Sequence, residues 1–125
     1  MKKNILITGG AGYIGSMLAS KLVNLGHEVT VIDLLKFSSN SLNHLHFFKN
    51  FKLIVGDVRN KNLIKKELKK NEYIIPLAAL VGAPLCEKNK SEAISVNLNS
   101  IKLLIKYINK KNKIIFLNSN SGYGV

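Results

Sequence analysis

The sequence predicts an α/β protein in which a doubly wound parallel sheet carries helices on both faces. Short β-branched runs alternate along the 125 residues with longer stretches whose apolar residues recur at helical spacing. The runs are apolar at nearly every position, which is typical of strands buried on both faces of a parallel sheet. Right-handed crossovers then give the strand order 3-2-1-4-5. A full sheet of this kind normally has a sixth strand, so we expect the fold to be truncated after the fifth.

The elements follow one another without a linker, an internal repeat or a low-complexity tract, so we expect one domain. Strands are expected at 4–8, 28–32, 51–55, 73–77 and 113–117. Between the first two strands, Ile14, Leu18, Leu22 and Leu25 recur at three- and four-residue intervals and predict a helix with one apolar face. Gly26 is expected to end that helix as a C-terminal cap.

Two further helices are predicted from their caps and their apolar stripes. Asn60 is expected to cap the first of them. Ser91 is expected to cap a longer one, with Glu92 in its first turn, where a carboxylate suits the helix dipole. The stripe of the first comprises Leu63, Ile64 and Leu68, and that of the second Ile94, Leu98, Ile101, Leu104, Ile105 and Ile108. Residues 37–50 are polar and are expected to form a loop with a short helix.

The chain is strongly basic, with a formal net charge of +12 and a pI near 9.9. Such a charge is compatible with a nucleic acid or an anionic membrane as partner. Arg59 is the only arginine, however, and base recognition favours Arg, whose planar guanidinium pairs with guanine. Lys, Asn and Ile are abundant together and share A/T-rich codons, which favours a compositional origin of the charge. We therefore expect no specific nucleic-acid partner, while lysines near a ligand cleft could steer an anionic substrate.

Cysteine usage and hydropathy favour a cytoplasmic protein without a membrane partner. Cys86 is the only cysteine, so no internal disulfide is expected, and a reducing compartment fits. The apolar residues near the start of the chain are interrupted by Thr-Gly-Gly at 8–10, so no signal peptide is expected. The most apolar later stretch, 73–86, is too short for a bilayer. His44 and His46 lack an evident third ligand, so no metal site is predicted.

The motif TGGAGYIG at 8–15 stands between the first strand and the first helix. Gly9 permits the tight turn out of the strand, Gly12 lets the backbone approach a pyrophosphate, and Gly15 lets the helix pack close to the sheet. The helix N-terminus offers N–H groups and a positive dipole end to an anion. Glycines also mark ordinary turns, but the strand–glycine–helix context favours a dinucleotide site, to which Tyr13 and Ile14 are also assigned.

Two carboxylates follow neighbouring strands at the same edge of the sheet. Asp33 lies about twenty residues beyond the glycines, where a carboxylate accepts both hydroxyls of an adenosine ribose and repels a 2′-phosphate. It therefore predicts NAD rather than NADP. Asp57 and Val58, after the third strand, are placed to contact the adenine. The alternatives are a helix cap or surface acid for Asp33 and a simple turn acid for Asp57.

Six short segments occur in a family order and at roughly family spacing over nearly the whole chain. They are TGGAGYIGS at 8–16, Asp33, GDV at 56–58, LAAL at 77–80, VN at 96–97 and SNSGYG at 119–124. On these segments the chain resembles the extended short-chain dehydrogenase/reductases, especially their NAD-dependent epimerase/dehydratase group. The resemblance implies that 1–125 is an NAD-binding Rossmann domain, and that its chemistry concerns sugars carried by nucleoside diphosphates.

The resemblance also implies roles for residues after the fourth strand. Leu77, Ala78 and Ala79 would line the cofactor, where small residues are needed because the backbone lies against the dinucleotide. Family members often have His where this chain has Pro76. Asn97 would support the active-site region from within the fourth helix and is assigned to the cofactor site. Its alternative is an ordinary polar helix residue.

By the same resemblance, Ser119 aligns with the catalytic Ser/Thr that hydrogen-bonds and orients the reacting sugar hydroxyl. The general base of the family is the tyrosine of a Tyr-x-x-x-Lys pair on the helix after the fifth strand. The one matching string in this sequence, from Tyr107 to Lys111, precedes that strand. We therefore expect it at the opposite edge of the sheet and assign it no catalytic role. Tyr123 and Gly124 resemble a structural Tyr-Gly of the family.

Two functions stay open on the sequence. The leading one is the NAD-binding domain of a nucleotide-sugar epimerase/dehydratase-type oxidoreductase, which acts by transient hydride transfer at a sugar carbon. The other is a non-catalytic dinucleotide-binding module or an inactive remnant, since the catalytic helix and the substrate-binding C-terminal part are absent from the 125 residues. The apolar fifth strand would be a sheet edge, so association into a homo-oligomer is also expected.

Overall fold

Five short strands form one parallel sheet. They are β1 (Asn4–Thr8), β2 (Glu28–Asp33), β3 (Phe51–Val55), β4 (Tyr73–Pro76) and β5 (Lys113–Ile114). In the computed structural model, which describes residues 1–119, their order is β3-β2-β1-β4-β5, as predicted. Thr8 is in register with Ile32 on one side and with Pro76 on the other, so three central strands end at the same level. The loops that follow them are thereby brought together at one edge.

The connections between the strands are mostly helical. The helices are α1 (Tyr13–Asn24), α2 (Lys61–Leu68), α3 (Ala83–Lys88), α4 (Lys90–Ile94) and α5 (Ser100–Tyr107). A π-helical segment, Ser95–Asn99, joins α4 to α5, so that 90–107 is one continuous helical stretch. A single 3-10 turn at Asn43–Leu45 is the short helix expected between β2 and β3.

Two apolar cores cover the two faces of the sheet and bury the central strands β1, β2 and β4 on both sides, whereas the edge strands β3 and β5 are half-buried or exposed. Alternate residues of each strand point to opposite faces. The first core joins β1 and β2 to α1 and the 3-10 turn through Ile5, Ile7, Val29, Val31, Ala19, Val23, Leu42 and Leu45. The second joins the sheet to α2 and α5 through Leu6, Ile32, Ile74, Ile64, Leu68 and Leu104.

The first helix ends where predicted, and two residues of its predicted stripe, Leu18 and Leu22, pack against the first core while half-buried. The Gly26 N–H donates to the Val23 carbonyl and the His27 N–H to the Leu22 carbonyl, a Schellman cap with Gly26 at a φ of +84°. The fully buried positions of α1 are Gly15, Ala19 and Val23, whereas Ile14 and Leu25 of the predicted stripe are exposed. Small residues lie at the positions nearest the sheet because they let the helix axis approach it closely.

The loops around β4 and α4 depart from the prediction in three ways. No helix was predicted between β4 and the long helix, yet α3 begins after Gly82 with Pro84 in its first turn. The following helix begins at Lys90 rather than after Ser91, so Ser91 is not its cap. Finally, β4 ends at Pro76 and β5 at Ile114, so both strands are shorter than expected.

The predicted apolar stripe of the long helix is buried at only one position. Leu104 is 3% exposed, whereas Ile94, Leu98 and Ile105 are about half exposed. The chain after β5 is also exposed at Phe116 and Leu117. The stripe therefore contributes Leu104 to the second core, where Leu103 and Tyr107 pack beside it, and leaves most of its other residues exposed.

The capping of α2 generates a stability prediction. The Asn60 side-chain oxygen accepts from the backbone N–H groups of both Asn62 and Leu63, at 3.1 Å each. Asn60→Ala should leave both donors without this acceptor and lower the free energy of unfolding by about 1 kcal/mol. Urea denaturation followed by circular dichroism measures the loss. The matched control is Asn62→Ala, at an exposed helical position where alanine is favourable; equal destabilisation by both changes would contradict the cap.

Candidate functional site

A cavity of about 1080 Å³ opens at the carboxyl edge of the sheet. It is bounded by the turns that follow β1, β2, β3 and β4, by the helical stretch 90–107, and by the chain after β5. All thirteen site residues expected from the sequence line it: Gly9, Gly12, Tyr13, Ile14, Gly15, Asp33, Asp57, Val58, Leu77, Ala78, Ala79, Asn97 and Ser119. A cavity of this size, apolar with a few convergent polar groups, is typical of a cofactor site.

The three glycines of the first turn occupy different environments. Gly9 has a φ of +73°, and an added Cβ there would stand 2.4 Å from the Ala78 backbone nitrogen. A Cβ on Gly15 would stand 2.6 Å from the Gly9 carbonyl oxygen. A Cβ on Gly12 would meet only that same oxygen, at 3.4 Å, an ordinary contact. Gly9 and Gly15 are therefore required by the fold, whereas the space beside Gly12 belongs to the cavity.

The N-terminus of α1 opens into this space. Gly12 is the N-cap residue, so no side chain covers the first turn, and that turn contains no acidic residue. The backbone N–H groups at a helix start lack intrahelical acceptors and carry the positive end of the dipole. Tyr13 and Ile14 form the rim, with 84% and 57% of their surface exposed. This arrangement suits an anionic group such as a pyrophosphate.

Asp33 closes the neighbouring part of the cavity. One carboxylate oxygen accepts from the Ala11 N–H at 2.9 Å, and the other accepts from the Leu35 N–H at 2.8 Å. Leu35 has a φ of 57°, so the second bond holds a residue in a left-handed conformation that leucine seldom adopts. Each oxygen keeps a lone pair for a further donor. The carboxylate is thus fixed in place with capacity left for a ligand hydroxyl.

The Asp57 carboxylate is hydrogen-bonded to Arg59, which was not predicted as a site residue. The Arg59 guanidinium donates to both carboxylate oxygens, at 2.9 Å from Nε and 2.6 Å from its terminal nitrogen. These hydrogen bonds lower the pKa of Asp57 and raise that of Arg59. Arg59 also donates to the Ser95 hydroxyl in the π-helical segment. Asp57 thus ties the loop after β3 to the long helix, and Val58 turns its side chain into the second core.

A second ion pair at this end of the cavity was also missed. The Lys36 ammonium lies 2.9 Å from a carboxylate oxygen of Glu92, and both residues line the cavity. The pair joins the turn after β2 to α4. Glu92 was expected only to interact with the helix dipole. Its pairing with Lys36 could not be predicted, because no local sequence pattern connects residues that are 56 positions apart.

The opposite wall is formed by the chain after β4. Leu77, Ala78 and Ala79 follow the strand, and the Leu77 N–H donates to the Thr8 carbonyl. Asn97 makes two hydrogen bonds to the Leu80 backbone: its oxygen accepts the N–H at 2.8 Å, and its nitrogen donates to the carbonyl at 2.9 Å. The asparagine therefore supports this loop, as the sequence implied.

Ser119 lines the cavity beyond β5, where its N–H donates to the Asn118 side chain at 2.9 Å. Tyr123 and Gly124 lie outside the described residues. Tyr107 does not line the cavity: its ring lies 5.1 Å from the Lys65 ammonium, and a hydrogen bond from Lys61 lowers its pKa. Lys111 lines a separate groove that includes Asn4, at the start of β1. This pair is therefore at the opposite edge, as predicted.

Within residues 1–119, no group of three or more histidine, cysteine, aspartate or glutamate side chains is placed to hold a metal ion. Over the same range, no helix has the length and apolar character needed to cross a membrane. The thiol of Cys86 donates to the Leu80 carbonyl at 3.4 Å.

Comparison with known proteins gives consistent matches over the full length of this chain. The model of the NAD dependent epimerase/dehydratase family matches residues 5–125. A UDP-N-acetyl-alpha-D-glucosaminuronate decarboxylase of Bacillus cytotoxicus is 34% identical over 99% of this chain and 39% of its own length.

Two solved structures show the same architecture. UDP-N-acetylglucosamine 4-epimerase from Methanobrevibacter ruminantium, in complex with UDP-N-acetylmuramic acid, is 32% identical with a TM-score of 0.85. The Bordetella bronchiseptica enzyme WbmG, in complex with NAD and UDP, is 26% identical with a TM-score of 0.84. Each match covers 99% of this chain and 40% of the solved chain. The chain thus spans about two fifths of the length of the proteins it matches.

Proposed function

The chain belongs to the NAD dependent epimerase/dehydratase family, and on that premise we propose that its cavity binds NAD. We further propose that the protein serves hydride transfer at a sugar carbon of a nucleotide sugar. The observation that carries the proposal is the pairing of two features in one cavity: an uncovered helix start at Gly12 and a fixed carboxylate at Asp33. The first suits a pyrophosphate and the second a ribose diol.

The two features divide the cofactor site between two tasks. The α1 N-terminus would hold the pyrophosphate through the N–H groups of its first turn. Asp33 would accept the two hydroxyls of the adenosine ribose, using the lone pairs that the Ala11 and Leu35 N–H groups leave free. Because Asp57 is already bonded to Arg59, we propose that the backbone around Val58, rather than the Asp57 carboxylate, would contact the adenine.

Residues after β4 and β5 would form the reacting end of the site. NAD, when bound, supplies the hydride acceptor that oxidises a sugar hydroxyl transiently. Leu77, Ala78 and Ala79 would offer a flat wall to the nicotinamide, held in place by the bonds between Asn97 and Leu80. Ser119 would hydrogen-bond the sugar hydroxyl and orient it, because an unperturbed hydroxyl is a poor acid or base at neutral pH.

The substrate class is proposed from relatives rather than from a subsite on this chain. The Bacillus cytotoxicus relative is named as a decarboxylase of a UDP-linked sugar, and the Methanobrevibacter ruminantium structure holds UDP-N-acetylmuramic acid. We propose a nucleotide sugar for this protein as well, and the described residues do not favour one sugar over another.

A non-catalytic dinucleotide-binding module is the second candidate, because the two features that carry the proposal, the helix start at Gly12 and the carboxylate of Asp33, serve cofactor binding rather than catalysis. Turnover of a nucleotide sugar by the purified protein would favour the enzyme, and NAD binding without turnover on a panel of nucleotide sugars would favour the module.

A larger residue at position 12 should weaken NAD binding and leave the fold intact. Gly12→Val should place methyl groups where the pyrophosphate is proposed to lie and weaken NAD binding at least about tenfold, or 1.4 kcal/mol. Its backbone, with a φ of −71°, is open to any residue, so the circular dichroism spectrum should stay native. Titration calorimetry measures the affinity. An unchanged dissociation constant would contradict the assignment.

Gly15→Ala is the matched control, since its Cβ would stand 2.6 Å from backbone atoms of Gly9 and Gly10. It should lower the midpoint of urea unfolding, which Gly12→Val should change much less. If the two variants were equally destabilised, the distinction between a fold glycine and a ligand glycine would be wrong.

Asp33 predicts a preference between cofactors. The unsubstituted protein should bind NAD at least about tenfold more tightly than NADP, because a carboxylate facing the ribose repels the 2′-phosphate. Asp33→Asn should reduce that ratio by weakening NAD and relieving the repulsion. The ratio of the two dissociation constants is the measurement, and equal affinities in the unsubstituted protein would refute the assignment.

A further inference from the structure

The charged side chains that line the cavity are mostly acidic, whereas the chain as a whole is strongly basic. Although the chain has a net charge of +12, three acids line the cavity, namely Asp33, Asp57 and Glu92. In the part of the chain that the structure describes, Lys36 is the only cation that lines it. An additional phosphate on the ribose would therefore depend on Lys36 for a positive partner.

Lys36 is close in sequence to the ribose carboxylate but is directed elsewhere. It follows Asp33 by three residues, through the turn in which the Asp33 carboxylate holds Leu35 in a left-handed conformation. Its ammonium forms a hydrogen bond of 2.9 Å with Glu92 on α4. The second nearby cation, Arg59, is held by both oxygens of Asp57. Each cation at this end of the cavity is thus already paired with an acid.

We infer that Glu92 is a positioning residue for cofactor selection, which holds the Lys36 ammonium away from the ribose and so denies a 2′-phosphate its cation. The inference rests on the proposed NAD site and adds a second element to the selectivity attributed to Asp33. A 2′-phosphate would have to break the Lys36–Glu92 bond before it could pair with the Lys36 ammonium. NAD, which has only a hydroxyl there, has no such requirement.

The expected change in NADP affinity is modest because the Lys36–Glu92 pair is partly exposed to solvent. Lys36 and Glu92 keep 57% and 34% of their side-chain surface exposed, so the bond between them is weak and salt-sensitive. A phosphate dianion is a stronger partner for an ammonium than water is. Releasing Lys36 should therefore matter for NADP and for 2′-phospho-ADP-ribose, and hardly at all for NAD and ADP-ribose.

The test measures dissociation constants of these four ligands at low ionic strength by titration calorimetry. Glu92→Gln should tighten the binding of NADP and 2′-phospho-ADP-ribose by about three- to fivefold, while NAD and ADP-ribose change by less than about twofold. The gain should diminish as salt is raised. The matched control is Glu87→Gln, which removes the same charge from an exposed α3 position outside the cavity and should alter none of the four constants.

A double-mutant cycle separates the positioning role from direct repulsion by the Glu92 carboxylate. In a Lys36→Gln background, Glu92→Gln should no longer improve NADP binding, because no ammonium is left to release. Persistence of the gain in that background would overturn the positioning role, as would an unchanged NADP affinity in Glu92→Gln alone. Failure of the unsubstituted protein to bind NAD or ADP-ribose would overturn the proposed function, and this inference with it.

Discussion

The close approach of the first turn to the chain after β4 is the contact on which the site depends. The Gly9 N–H donates to the Ile32 carbonyl, and the Leu77 N–H donates to the Thr8 carbonyl, so the ends of β1, β2 and β4 are joined. At this junction a Cβ on Gly9 would lie 2.4 Å from the Ala78 nitrogen. Only a glycine permits the approach, and the approach brings the helix start and the wall after β4 to the same cavity.

From this junction outwards, each wall of the cavity is held by a polar side chain bonded to backbone. Asp33 accepts from Ala11 and Leu35, and Asn97 holds both polar groups of Leu80. Such bonds position a loop without filling the space in front of it. The second core and the Arg59–Ser95 bond then fix the long helix behind the turns after β2 and β3. Asn97 and Arg59 thus hold the walls of the cavity, whereas Asp33 both holds its own turn and is proposed to contact the ligand.

Local signals in the sequence were sufficient for the strand order and for the gathering of the site residues. Short, almost continuously apolar runs located the strands. The Asn60 and Gly26 caps formed as predicted because capping depends on a few neighbouring residues. A parallel sheet then places every strand end at one edge, so residues just after the strands had to meet. The roles of those residues as ligand contacts stay predictions.

What the sequence could not provide depends on packing between distant elements. The predicted stripe of large residues on α1 is not the most deeply buried part of the helix. Gly15 and Ala19, which count little in an apolar pattern, lie at the positions nearest the sheet. The helix after Gly82 was missed because glycine and proline there resemble a loop. The Lys36–Glu92 pair and the Arg59–Ser95 bond arise only once the helical stretch 90–107 lies over the turns after β2 and β3. The Asp57–Arg59 pair, by contrast, joins residues two positions apart and is a local contact.

A dinucleotide bound as proposed would lie across the first turn and the Asp33 turn. Titration of the ¹⁵N-labelled protein with NAD, followed by amide resonances, would locate it. We expect saturable shifts at Gly12 to Gly15 and at Asp33 to Leu35, with little change at Asn109 to Lys113 on the opposite edge. Shifts confined to that opposite edge, or none at saturating NAD, would contradict this binding site.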